Sequence, residues 1–187
     1  MHNDDSSDVS EDDLPELSRR VKLAEHQSAS VVFYAPSELA GSGGMHREII
    51  RCNPSWYGQY PRFDTVLVTT NPDAWGMRRY RVARVRFFWS FRANTRTYSS
   101  AFVEWFVTDV DGPDNVTGLW IVRPEMIGDV RVTGIVPITS IARACHLMPV
   151  LGSALLPFQF HFSDTLDAFK KYYVNAYADY HSHETIL

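Results

Sequence analysis

The run Arg78-Arg79-Tyr80-Arg81-Val82-Ala83-Arg84-Val85-Arg86-Phe87-Phe88-Trp89-Ser90-Phe91 carries most of what the sequence says about architecture. It mixes β-branched and aromatic residues with arginine and contains no glycine or proline, which suits a long strand from Gly76 to Phe91. Successive side chains of a strand point to opposite faces. Val85 and Phe87 are therefore expected on an apolar side, with Arg84 and Arg86 pointing outward together from the other. Arg92-Ala93-Asn94-Thr95 supplies a hairpin loop, and Thr97–Val107 returns as the partner strand.

Working outward, Phe63–Thr70 predicts another strand, closed by Asn71-Pro72-Asp73. Further strands are expected over Ser28–Tyr34, Gly118–Arg123 and Val130–Val136. Leu17–Glu25 supports a weak helix at best, Ser37–Gly44 a turn and glycine loop, and Ile49–Tyr60 an irregular connector anchored by a buried Trp56. Near the C-terminus, Ile138, Ile141, Ala142 and Cys145 share a face at helical spacing, with Pro149 ending that helix. Phe158–Phe162 alternates like a short edge strand. Asp164 then caps a final helix whose stripe is Leu166, Phe169, Tyr173, Val174, Tyr177 and Tyr180. The expected class is α+β, mainly β: a strongly curved antiparallel sheet or small barrel, SH3-like or BAH-like, with a short helix and a C-terminal amphipathic helix.

At 187 residues the chain suits one domain plus extensions. Seven of the 22 acids lie within residues 1–16, so 15 acids face 18 bases in the remainder, a weakly basic body behind an acidic tail. Residues 1–27 are read as that tail, largely disordered, and 28–187 as a single β-rich domain. No apolar run is long enough to span a bilayer and the start lacks a secretory signal, so an intracellular and, with the polyanion reading below, nuclear location is expected, without membrane partners.

Several chemistries lack their motifs. The glycine loop has no Gly-Lys-Ser/Thr for phosphate, and Asp109, Asp111 and Asp114 lack the spacing and closing Glu of a calcium loop. No Gly-x-Ser-x-Gly elbow is present. Cys52 and Cys145 have neither disulfide nor metal spacing, and Cys145 and His146 diverge on the expected helix. His161, His181 and His183, with a His-x-His at the C-terminal end, are weighed as a metal set and read instead as a frayed tail, and Asn115-Val116-Thr117 as a turn. The expectation is no enzyme, no metal, no cofactor and no small-molecule substrate.

Arg78, Arg79, Arg81, Arg84, Arg86, Arg92 and Arg96 form the one strong charge block, with no acid among them. Such arginines can grip phosphates while neighbouring rings stack on bases, so these seven are the candidate nucleic-acid contacts. Trp89, Trp105 and Trp120 are the aromatic candidates, as stacking platforms or as a cage for a methylated lysine. The first functional reading is a DNA- or chromatin-binding accessory module. The alternative is a structural or protein-interaction domain whose arginines pair with acids of a partner or of the chain itself.

Several blocks, taken in order, resemble a known group. They include Val32-Phe33-Tyr34-Ala35-Pro36-Ser37-Glu38-Leu39, Gly43-Gly44-Met45-His46-Arg47-Glu48, Asn53-Pro54-Ser55-Trp56, Gly76-Met77-Arg78 and Val82-Ala83-Arg84-Val85. Val103-Glu104-Trp105-Phe106, Thr117-Gly118-Leu119-Trp120-Ile121-Val122, Arg143-Ala144-Cys145-His146-Leu147-Met148-Pro149-Val150 and Asp164-Thr165-Leu166-Asp167-Ala168-Phe169 continue the series. From about Ser28 onward the chain is similar to the C-terminal region of long proteins of mushroom-forming (basidiomycete) fungi associated with Plavaka-type DNA transposons. The resemblance implies a transposon-derived fragment without the transposase catalytic domain, and a transposase-like protein as a partner.

Overall fold

The structure, a computed structural model, describes residues 21–35, 42–93, 95–152, 155–156 and 158–187. The acidic stretch 1–16 and most of the glycine loop's lead-in fall outside them. In chain order the strands are β1 (Ala24–His26), β2 (Ser28–Tyr34), β3 (Met45–Trp56), β4 (Tyr60–Phe63), β5 (Thr65–Thr69), β6 (Tyr80–Ala93) and β7 (Arg96–Thr108). They continue as β8 (Ile121–Pro124), β9 (Met126–Ile127), β10 (Val130–Arg131), β11 (Thr133–Pro137), β12 (Ile141–Ala144) and β13 (Leu147–Pro149). Helix α1 (Thr165–Ala168), strand β14 (Tyr172–Val174) and helix α2 (Tyr180–Ile186) end the chain.

The β6–β7 hairpin is the spine. With 14 and 13 residues and no internal glycine or proline, each strand outruns a single neighbour. β6 pairs with β5 near its start and with β1 near its end. β7 pairs with β11 and then with β8. The nine-stranded sheet runs β12-β5-β6-β7-β8-β14-β13, with β1 and β11 attached to the long pair. It is antiparallel and strongly curled into a half-barrel, as expected of long strands under the right-handed twist. A β2-β3-β4 sheet and a β9-β10 ribbon complete it.

Both faces of this sheet are covered. One core joins Ile50 and Cys52 of β3 to Val66, Val68, Ala83, Val85, Phe88 and Val103. The other sets Leu67, Val82, Phe106 and Val122 against Tyr172, Val174 and Ile186 of the C-terminal segment. Ala83, Arg84 and Val85 are consequently all buried in succession.

Six expectations are corrected. A bulge lies between Val85 and Phe87, which pair with the adjacent Val103 and Phe102. The extra residue, Arg86, resets the alternation. Val85 is buried while Phe87 turns to the more open face and stacks on Phe102 with centroids 5.1 Å apart. The predicted connector around Ile49–Tyr60 is mostly strand β3, and Ala24–His26 is a strand where a weak helix was expected. The helix predicted from Ile138 is a single 3-10 turn followed by β12, because Ile141, Arg143 and Cys145 are buried in strand alternation. Phe158–Phe162 is turn, not strand. The long final helix is only α1: the chain is extended at Phe169 and re-enters the sheet as β14, burying Tyr172 and Val174.

Candidate functional site

Four of the seven predicted arginines end on carboxylates of the same chain. Arg84 is 4% exposed, and its Nη1 donates to both carboxylate oxygens of Asp167 at 2.9 Å. It also lies 3.8 Å from Glu104 on the paired strand. Arg86 sits 3.5 Å from Glu104 and lays its guanidinium 4.2 Å over the Phe63 ring. Arg131 joins this cluster by donating to Asp167 at 3.0 Å and to the Leu166 carbonyl at 2.7 Å. Arg81 meets Glu125 at 2.5 Å, and Arg78 meets Asp111 at 3.3 Å.

The outward pair predicted at Arg84 and Arg86 does not form: Arg84 is buried in an ion cluster with Asp167, while Arg86 keeps a third of its side chain in solvent. The C-terminal segment covers that face, and a guanidinium removed from water must find carboxylates. Arg79 carries a buried Nε with no hydrogen-bond partner and lies beside the Tyr80 ring. Arg92 and Arg96, at the tip of the hairpin, are exposed and have no carboxylate partner among the described residues.

The tryptophans also separate. Trp105 and Trp120 are buried in opposite cores, so the three-ring cage does not form. Trp89 is half-buried and stacks on Phe91 at 5.7 Å, which stacks in turn on Tyr98 at 5.1 Å. Trp56, expected as a buried anchor, is half-buried instead. Arg51 and Arg62 lie against it, 5.0 and 5.2 Å from the ring centroid.

Trp56 belongs to a feature the sequence did not announce. A pocket of about 280 Å³ is walled by Trp56, Tyr60, Phe63 and Phe162, with Arg62 and Arg84 among its lining. The tight β3–β4 turn, with Tyr57 at φ 52°, sets Trp56 opposite Tyr60, and the 3-10 turn Phe162–Asp164 brings up the far wall. Tyr60 and Phe162 meet edge to face at 4.8 Å. A second cavity of about 510 Å³ shares Arg62, Phe63 and Leu166 with it. The local signal was the cluster Trp56, Tyr57 and Tyr60, but Phe162 and Arg84 arrive from far along the chain.

A second buried ion network was also missed. Arg143, 3% exposed, donates to Glu48 at 2.7 Å and to Asp179 at 2.6 and 3.1 Å. Burial alone would raise the Asp179 carboxyl, but hydrogen bonds from Arg143 and from the Ser182 N–H, with the Arg143 charge, hold it down at about 2. The same Ser182 bond makes Asp179 the N-cap of α2. An arginine at an inward position of the alternating run Ile141–Cys145 was the available clue.

The remaining groups have structural neighbours. Burial pushes the Cys52 thiol up to about 11 and that of Cys145 to about 12, so both are protonated at neutral pH. His161 lies against Phe162, His181 stacks on Phe33 and His183 on Tyr177. Asp109 faces Lys171 and Arg123, Asp111 faces Arg78, and Asp114 accepts from the backbone of Val116 and Thr117 to shape its turn. Among the described residues no group of three or more His, Cys, Asp and Glu is placed to hold a metal, and no helix is long and apolar enough to cross a membrane. Comparison with known proteins finds no matching family model, no matching curated protein and no matching solved structure.

Proposed function

We propose that this chain is a non-catalytic protein-interaction module that packs on a partner protein. The observation that carries the reading is the internal neutralisation of Arg78, Arg81, Arg84 and Arg86 by Asp111, Glu125, Asp167 and Glu104. Arginines already held by carboxylates release few counterions on meeting a phosphate backbone, so the main source of nucleic-acid affinity is weak here. A curled β-sheet with short helical additions is also the general shape of SH3-like and BAH-like interaction modules, an analogy of fold alone. The transposon resemblance supplies the context: a transposase-like partner, met inside the cell and in the nucleus.

Labelled duplex DNA titrated at several salt concentrations tests this reading. The expected outcome is no binding tighter than about 10⁻⁴ M at low salt. Tighter binding that falls steeply with salt would count against the module and restore the DNA- or chromatin-binding reading.

One observation favours a reduced form of that second reading. Among the described residues no carboxylate pairs with Arg92 or Arg96, and the strand register places Arg96 on the same face as the ladder of Trp89, Phe91 and Tyr98. If DNA does bind there, the double change Arg92→Gln and Arg96→Gln weakens it and lowers the magnitude of the salt slope by about 2.

A further inference from the structure

The pocket between β4 and the turn before α1 has a chemistry of its own. Its walls are the four rings of Trp56, Tyr60, Phe63 and Phe162, its charged lining is Arg62 and Arg84, and no carboxylate among the described residues lines it. A ring-walled pocket ordinarily suits an alkylated ammonium, which the faces of the rings attract. Here guanidinium groups already occupy those faces: Arg62 lies over Trp56 at 5.2 Å and Arg86 over Phe63 at 4.2 Å. A cationic guest would meet charges of its own sign, and an anionic one would be drawn in.

The cluster beneath retains positive charge for such a guest. Among the described residues Arg84, Arg86 and Arg131 face only Glu104 and Asp167, three cations against two anions. Nε of Arg84 and Nη1 of Arg131 are buried with no hydrogen-bond partner. Arg62 bonds Asp64 through Nε alone at 2.9 Å and keeps 40% of its side chain in solvent. A forked guanidinium with free terminal N–H groups beside a stacking surface matches a carboxylate attached to a flat ring.

We propose that this pocket receives an aromatic side chain, and an adjacent carboxylate, from an acidic segment of the partner protein. The inference rests on the protein-interaction reading and gives that partner a chemistry. A volume of about 280 Å³ accommodates one ring rather than a larger cofactor. The adjoining cavity of about 510 Å³ carries the path onward past Arg62, Phe63 and Leu166; its carboxylates, Glu48 and Asp64, are already paired with Arg143 and Arg62, and β4 is hydrogen-bonded only to β3 among the described residues. An extended peptide thus has both a ring socket and a strand edge to follow.

The test uses the full chain and four short blocked peptides, read by the indole N–H resonance of Trp56 and by tryptophan fluorescence. Gly-Glu-Phe-Gly is expected to shift the Trp56 signal saturably at millimolar concentration. Gly-Gln-Phe-Gly and Gly-Glu-Ala-Gly should bind about tenfold more weakly, and Gly-Lys-Phe-Gly not measurably. The solvent-facing changes Arg62→Gln and Phe162→Ala should each weaken the first peptide about five- to tenfold, with Arg62→Lys recovering part of the loss. Equal shifts from the lysine and glutamate peptides, or none at about 10 mM, overturn the proposal. Phenylpropionate binding as tightly as the peptide would overturn the peptide source. Peptide failure without DNA binding sinks only the pocket assignment, whereas salt-dependent DNA binding sinks the interaction reading itself.

Discussion

A guanidinium cannot shed its charge on burial, so each buried arginine must bring its counter-ions with it. That rule sorts the charge block into structural and surface residues. Arg84 lies between Asp167 and Glu104, whose Oε2 is itself buried without a hydrogen bond, and its removal would leave Glu104 with Arg86 alone and Asp167 with Arg131 alone. Arg84→Ala is accordingly expected to destabilise the protein by about 2–3 kcal/mol. Arg92→Ala and Arg96→Ala, at the exposed hairpin tip, should stay within about 0.5 kcal/mol of the parent. Urea midpoints at unchanged slope decide the matter, and equal effects at the three positions would contradict the assignment.

Among the elements, β6 and β7 do the shaping, and small departures from regularity aim their side chains. The extra residue at Arg86 tips Phe87 out of the core and returns Phe88 to it. Close packing governs the opposite edge of the hairpin, where β11 lies on β7 through the pairing of Gly134 with Val103. A Cβ on Gly134 would stand 2.5 Å from Nε1 of Trp105, closer than any real contact. Gly134→Ala should therefore cost about 1–3 kcal/mol and shift the tryptophan emission as Trp105 is displaced. Gly112→Ala, with open space around its Cβ position, serves as the comparison and should change stability by less than about 0.5 kcal/mol.

On the scale of the molecule, one curled sheet is shared by two cores, and the C-terminal segment closes the second of them. Two buried arginines pin that segment: Arg84 holds Asp167, and Arg143 holds Asp179 at the N-cap of α2. The Asp179 carboxyl at about 2 lies below its ordinary 3.8, so the unfolded chain takes up its proton first as pH falls. Its contribution is complete above the ordinary value and disappears as pH drops through about 2. Asp179→Asn keeps the cap on Ser182 but loses the charge. With a third of the side chain in water, it should cost about 1–2 kcal/mol at neutral pH. The gap from the parent should close towards pH 2, and a difference that stays constant with pH would show that the ion pair is not its source.

The residues by themselves determined the β-rich class and the strands β2, β5, β6, β7 and β11, because β-branched and aromatic runs bounded by turn residues have few other stable conformations. They could not distinguish strand from helix in Ile138–Cys145 or Leu166–Tyr180, where the apolar residues fit both periods until a neighbouring strand supplied hydrogen bonds. Nor could alternation alone direct Arg84. A polar residue on a strand is read as facing water, but here the other face of the sheet is a second core. Only the tertiary structure brought Asp167, Glu104 and Phe162 to that arginine and its pocket, because burial and electrostatic pairing depend on what arrives from distant parts of the chain.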